Sequence, residues 1–96
     1  MLARVVTLEG GTPDSIRAGV EDMRERVPSG PPPGVKSSGF TMLVNPEGGK
    51  VIMIGLFDSE EDLRQSDAVL EQMDRPDGLG ERTSKEVFEV GAEMRM

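Results

Sequence analysis

Residues 39–63 read GFTMLVNPEGGKVIMIGLFDSEEDL, and this stretch decides the fold. Phe40 to Asn45 and Lys50 to Phe57 are apolar runs rich in β-branched and aromatic residues, which read as strands. Asn45-Pro46-Glu47-Gly48-Gly49 between them is turn chemistry, so the two strands form an antiparallel hairpin. A turn about Glu47–Gly48 sets Val44 opposite Val51 and Met42 opposite Met53. Ser59 then has acids at the next three positions, which favours a helix N-terminus through capping and through the helix dipole.

Working outward from the hairpin, Leu63, Ser66, Leu70 and Met73 form the inward stripe of this helix, and Pro76 and Gly78 end it. Asp77 to Thr83 reads as a loop and Ser84 to Met96 as a last, long strand. On the other side of the hairpin, Leu2 to Leu8 is a strand closed by Gly10 and Gly11. Thr12 caps a first helix, with Pro13 at its first position. Ile16, Val20, Met23 and Val27 recur on one face, and Arg17–Glu21 and Asp22–Arg26 are spaced for i,i+4 ion pairs. Pro28 stops that helix. Pro28 to Gly34 holds three consecutive prolines, which stiffen the connection. It reads as a helix-to-strand loop or as the rim of a cleft.

The resulting order is β-α-β-β-α-β in one domain, residues 1–96: an α+β, ferredoxin-like arrangement. It implies a four-stranded antiparallel sheet with two helices on one face. A sheet whose other face met water would alternate polar and apolar residues along its strands. These strands do not, and 96 residues are too few for a third layer. A second copy of the chain is the economical cover, giving a homodimer through the sheet faces.

Composition narrows the function classes. There is no Cys and no His, so disulfides and the commonest transition-metal ligand are excluded, and no metal or cofactor is expected. The net charge is -7, with residues 1–50 neutral and the whole excess in residues 51–96. That balance, with no Trp or Tyr for base stacking, argues against nucleic-acid binding. No segment resembles a signal peptide, and the longest apolar run, Val51 to Phe57, is far short of the roughly 20 residues a membrane helix needs. A soluble cytoplasmic protein without membrane contact is the expectation.

Gly39–Phe40, Asn45 to Lys50 and Leu56 to Leu63 together resemble the central signature of the antibiotic-biosynthesis-monooxygenase-like family of dimeric α/β-barrel proteins. In that family a Gly-Phe pair opens the second strand, an Asp-Pro-x-Gly-Gly turn makes the hairpin, and a Trp-x-Ser-Glu-Glu-x-Leu segment starts the second helix. The resemblance implies two four-stranded sheets closing into a barrel, with a pocket in each subunit between sheet and helices. Some members oxidise polycyclic phenols or quinols without a cofactor, and others degrade haem. This sequence departs from the catalytic members: Trp, Tyr and His are absent, and Phe57 stands where Trp is common. Ser66 to Val69, where haem-degrading relatives place a His, offers Ser, Asp, Ala and Val, so haem ligation is not expected.

The candidate pocket residues are Met23, Met42, Met53, Phe57, Ser66 and Leu70. Met42 and Met53 read either as core or dimer packing or as a pliable wall for a flat ligand. The candidate catalytic residues are Asp67, Arg4 and Asn45. Asp67 is a general base if the protein is an enzyme, and a solvated helix position otherwise. Arg4, in an apolar strand, is either paired at a sheet edge or dimer seam or set to meet an anion. Asn45 reads first as a turn residue. The Asp58–Asp62 acids lack the spacing of a calcium loop and read as capping. The leading functional expectation is a dimeric barrel that binds a small apolar or aromatic molecule without catalysis. The alternatives are a cofactor-independent monooxygenase and a partner-binding domain that uses its acidic half.

Overall fold

The computed structural model describes residues 1–73 and 78–94. Strand β1 (Leu2–Gly10) leads into helix α1 (Pro13–Arg26), which tightens into a 3-10 turn at Val27–Ser29. Strands β2 (Gly39–Asn45) and β3 (Lys50–Phe57) form the hairpin, helix α2 (Glu60–Gln72) follows, and strand β4 (Gly80–Glu89) comes after it. The strands lie in the order β2-β3-β1-β4, and every neighbouring pair is antiparallel. This is an α+β fold compatible with the ferredoxin-like arrangement.

The helix starts follow from local chemistry. Thr12 Oγ1 accepts a hydrogen bond from the Ser15 N–H at 3.1 Å, and the Thr12 N–H donates to Ser15 Oγ at 2.9 Å. Two donors without intrahelical partners are thereby satisfied reciprocally. Ser59 Oγ accepts from the Asp62 N–H at 3.1 Å at the start of α2. In the hairpin turn, Asn45 Oδ1 accepts from the Gly48 N–H at 3.1 Å, so the Asn45 side chain serves the turn. The register sets Val44 opposite Val51 and Met42 opposite Met53, as a turn about Glu47–Gly48 requires.

Alternation along the strands fixes two faces. Arg4, Val6 and Leu8 of β1 and Val51, Met53, Gly55 and Phe57 of β3 point to the helices, as Ile16 of α1 and the acids of α2 pack or pair against them. The buried core is small and centred on Val6, Leu8, Ile16, Val51 and Leu79, with Met42 and Met53 packed against it. The opposite face carries Val5, Leu43, Ile52, Ile54, Leu56 and Phe88 by the same alternation.

Two expectations are corrected. The last strand runs Gly80–Glu89 rather than Ser84–Met96. It starts earlier because β1 extends to Gly10, which pairs with Gly80, and it stops where β1 runs out, with Leu2 opposite Glu89. A side chain at Gly80, whose φ is +96°, would collide with the Glu9 carbonyl, so glycine allows the two backbones to meet there. Arg95 and Met96, like the helix-ending Pro76 and the loop start Asp77, lie outside the described residues. The second correction concerns Arg17. It lies 3.9 Å from Glu47 of the hairpin turn, and Glu21 pairs instead with Arg24 at 3.1 Å. The Asp22–Arg26 pair is present at 3.1 Å. All three of these pairs are exposed, and such pairs add at most about 1 kcal/mol each.

Candidate functional site: a cavity between sheet and helices

Neither helix keeps its apolar stripe buried along its whole length. Ile16 is enclosed, but Met23 is half-buried and Val27 is exposed; on α2, Leu70 is half-buried and Met73 exposed. All four of these looser residues line one cavity of about 510 Å³. Its sheet side is formed by Val6, Leu8, Met53, Gly55 and Phe57, with Phe40 from β2. Gly30 to Pro32, Val35, Ser37 and Ser38 close it from the loop. The volume lies within the range of about 300–1,000 Å³ typical of small-molecule sites.

Gly55 is part of the cavity's sheet side. It lies between Phe40 on β2 and Arg4 on β1 in the strand register, and it contributes no side chain to the helix face. A Cβ there would lie 3.2 Å from Cε2 of Phe57, so the ring of Phe57 rests close beside the bare backbone. A lone glycine in a strand commonly marks such a close approach.

The loop is pinned from beneath. Ser66 is fully buried, and its Oγ accepts a hydrogen bond from the Lys36 N–H at 2.8 Å. Val35 is buried beside it in sequence, and the Ser38 N–H donates to the Leu56 carbonyl at 2.8 Å. The proline-rich segment is therefore both a connection and a rim of the cavity.

A charged cluster borders the apolar space. Arg4, only 11% exposed, donates from Nε to Asp67 Oδ1 at 2.8 Å and from Nη2 to Glu71 Oε1 at 2.9 Å. Arg82 Nη1 donates to Glu71 Oε1 at 2.6 Å. Lys85 Nζ donates to Asp67 Oδ1 at 3.1 Å and to Glu71 Oε1 at 3.2 Å. Arg82 reaches this cluster because of a bulge in β4: Ser84 opposes Thr7, yet Arg82 rather than Thr83 opposes Leu8.

These contacts set the proton chemistry. Partial burial by itself raises the Asp67 carboxyl, but the hydrogen bonds from Arg4 and Lys85 outweigh it and the net direction is down. The hydrogen bond from Arg82, then that from Lys85, holds the Glu71 carboxyl at about 2, below its ordinary 4.5. The same contact raises Arg82. An ionised, doubly paired Asp67 is a weak base. Because Glu71 is depressed in the folded state, its stabilising contribution is complete above pH 4.5 and is lost as pH falls through about 2. The melting-temperature gap between wild type and Glu71→Gln is therefore expected to hold from pH 7 to 5, then narrow and close near pH 2. A gap independent of pH would contradict this.

Of the residues expected at a pocket, Met23, Met53, Phe57 and Leu70 line the cavity. Met42 and Ser66 do not: Met42 packs on the core, and Ser66 anchors the loop. Of the candidate catalytic residues, Arg4 lines the cavity, Asp67 stands behind it as a partner of Arg4, and Asn45 is held in the hairpin turn. Reading the sequence did not single out Gly55, Arg82, Glu71 or Phe40. The isolated glycine in VIMIGLF was a usable signal for the first; the bulge that places Arg82 leaves no sequence mark. Among the described residues, no group of three or more His, Cys, Asp or Glu side chains is placed to hold a metal ion, and no helix is long and apolar enough to cross a membrane. No family model, curated protein or solved structure matches the chain.

Proposed function

We propose that this is a homodimeric α/β-barrel protein, of the antibiotic-biosynthesis-monooxygenase-like kind, that binds one small apolar or aromatic molecule per subunit. The observation that carries the binding reading is the 510 Å³ cavity, walled by Met23, Met53, Phe57 and Leu70 and by the bare backbone of Gly55. Methionine walls adapt to flat ligands, and the half-exposed ring of Phe40 adds stacking surface. Asp67 is engaged by two cations, which supports binding over general-base catalysis.

The dimer rests on the other face of the sheet. Ile52, Ile54 and Leu56 lie in a row on the central strand β3, flanked by Val5, Leu43 and Phe88, with both helices on the far side. The chain exposes 6530 Å². A folded monomer of its 10.4 kDa exposes about 5,400 Å². The excess is more than the roughly 800 Å² that each partner buries in a standard interface.

Calorimetric titration with 2-naphthol tests the binding reading. Saturation at one molecule per chain is expected in the wild type. Gly55→Leu, which adds a side chain to the cavity wall, is expected to reduce the affinity at least tenfold. Non-saturable uptake, or uptake indifferent to Gly55→Leu, would overturn the reading.

A further inference from the structure

We infer that the ligand is an amphipathic organic anion, a flat apolar body bearing a carboxylate, a conclusion that rests on the cavity-binding reading above. Among the described residues, the cavity is lined by three arginines, Arg4, Arg26 and Arg82, and by one carboxylate, Glu71. Asp22 balances Arg26 at 3.1 Å. Among the described residues, the remaining imbalance sits in one place: Arg4, Arg82 and Lys85 face Asp67 and Glu71, three cations against two anions. In a chain whose net charge is -7, this is a local reversal of sign.

The geometry favours recognition over simple pairing. Glu71 Oε1 alone takes Arg4, Arg82 and Lys85, at 2.9, 2.6 and 3.2 Å. A guanidinium carries five N–H donors. Among the described residues, these ion pairs occupy two donors of Arg4 and one of Arg82. Arg4 is nearly enclosed and Arg82 about two-thirds so, and both border apolar walls where an uncompensated cation is costly. A ligand carboxylate placed there balances the third cation through charge-assisted bonds, which are shorter and stronger than neutral ones. The apolar part then lies toward Met53, Phe57 and Leu70.

The test compares naphthalene-2-carboxylate with naphthalene-2-carboxamide, which has nearly the same shape and no charge, by calorimetry at low and high salt. The carboxylate is expected to bind at least tenfold more tightly, and the preference is expected to shrink as salt rises. Arg82→Gln is expected to bring the ratio toward one, Arg82→Lys to keep part of it, and the remote Arg24→Gln to leave it as in the wild type. Equal affinity for the two probes in the wild type, or tighter binding of the amide, would overturn the anion inference while leaving the cavity reading standing. Binding of neither would overturn the cavity reading and this inference with it. Because the wild-type ratio decides by itself, the test holds even if an arginine variant does not fold.

Discussion

Ile54→Lys is expected to convert a two-chain species into single chains while leaving each chain folded. Ile54 is central on the open face: it lies opposite Val5 on β1 and Thr41 on β2 and is half-buried. A two-fold interface contains each residue twice, so one substitution introduces two like charges into the same apolar seam. Burying an unpaired ammonium costs several kcal/mol after relaxation. Two of them should weaken association by roughly a thousandfold or more, at 1.4 kcal/mol per factor of ten. Circular dichroism should stay that of the wild type, because Ile54 faces away from the core of Val6, Leu8, Ile16, Val51 and Leu79. Sedimentation across micromolar concentrations reads the result. A variant that sediments like the wild type would place the interface elsewhere.

Phe57→Ala is expected to give the largest loss of stability of any single side-chain truncation. The chain has three phenylalanines. Phe57 is 1% exposed, whereas Phe40 is 41% and Phe88 is 49% exposed. Removing a buried aromatic ring leaves a void that the surroundings only partly refill, at a cost of about 3–5 kcal/mol. Against a total of about 5–15 kcal/mol for a domain, that is a large share, and in a chain of this size it lowers the melting temperature by roughly 15 °C or more. Phe57 also ends β3 two residues before the Ser59 cap of α2, and its ring walls the cavity beside Gly55. The variant should therefore lose ligand affinity together with stability. Phe40→Ala is expected to cost well under half as much stability, because its ring is half in solvent. Urea unfolding of the two variants decides: equal losses would mean that Phe57 does not carry the packing assigned to it.

Much of the fold was legible because it is written in local chemistry. The Asn45–Gly49 turn sets the register of β2 against β3, and Thr12 and Ser59 set the helix starts. The last strand was less legible. Gly80-Glu81-Arg82-Thr83 carries no apolar run and reads as a loop, yet it pairs with the end of β1 because tertiary contacts decide it. With that strand start misplaced, Arg82 could not be assigned to the helix face or to the charged cluster. The candidate site was legible in part. The methionines and Phe57 announce a pliable apolar wall, but Met42 packs on the core outside the cavity, and hairpin register alone does not separate it from Met53 opposite. Ser66 reads from the sequence as a pocket residue on the inward stripe of α2. It is instead the acceptor for the Lys36 N–H, and only the folded loop reveals that partner.

The open face of the sheet was visible early, as strands that fail to alternate. The same pattern carries the central claim, that two chains form the functional unit and each holds a small ligand. Native mass spectrometry of the purified protein tests it most directly. A species of two 10.4 kDa chains that takes up naphthalene-2-carboxylate at one molecule per chain is expected. A single-chain mass at micromolar concentration, with no uptake of the probe, would contradict it.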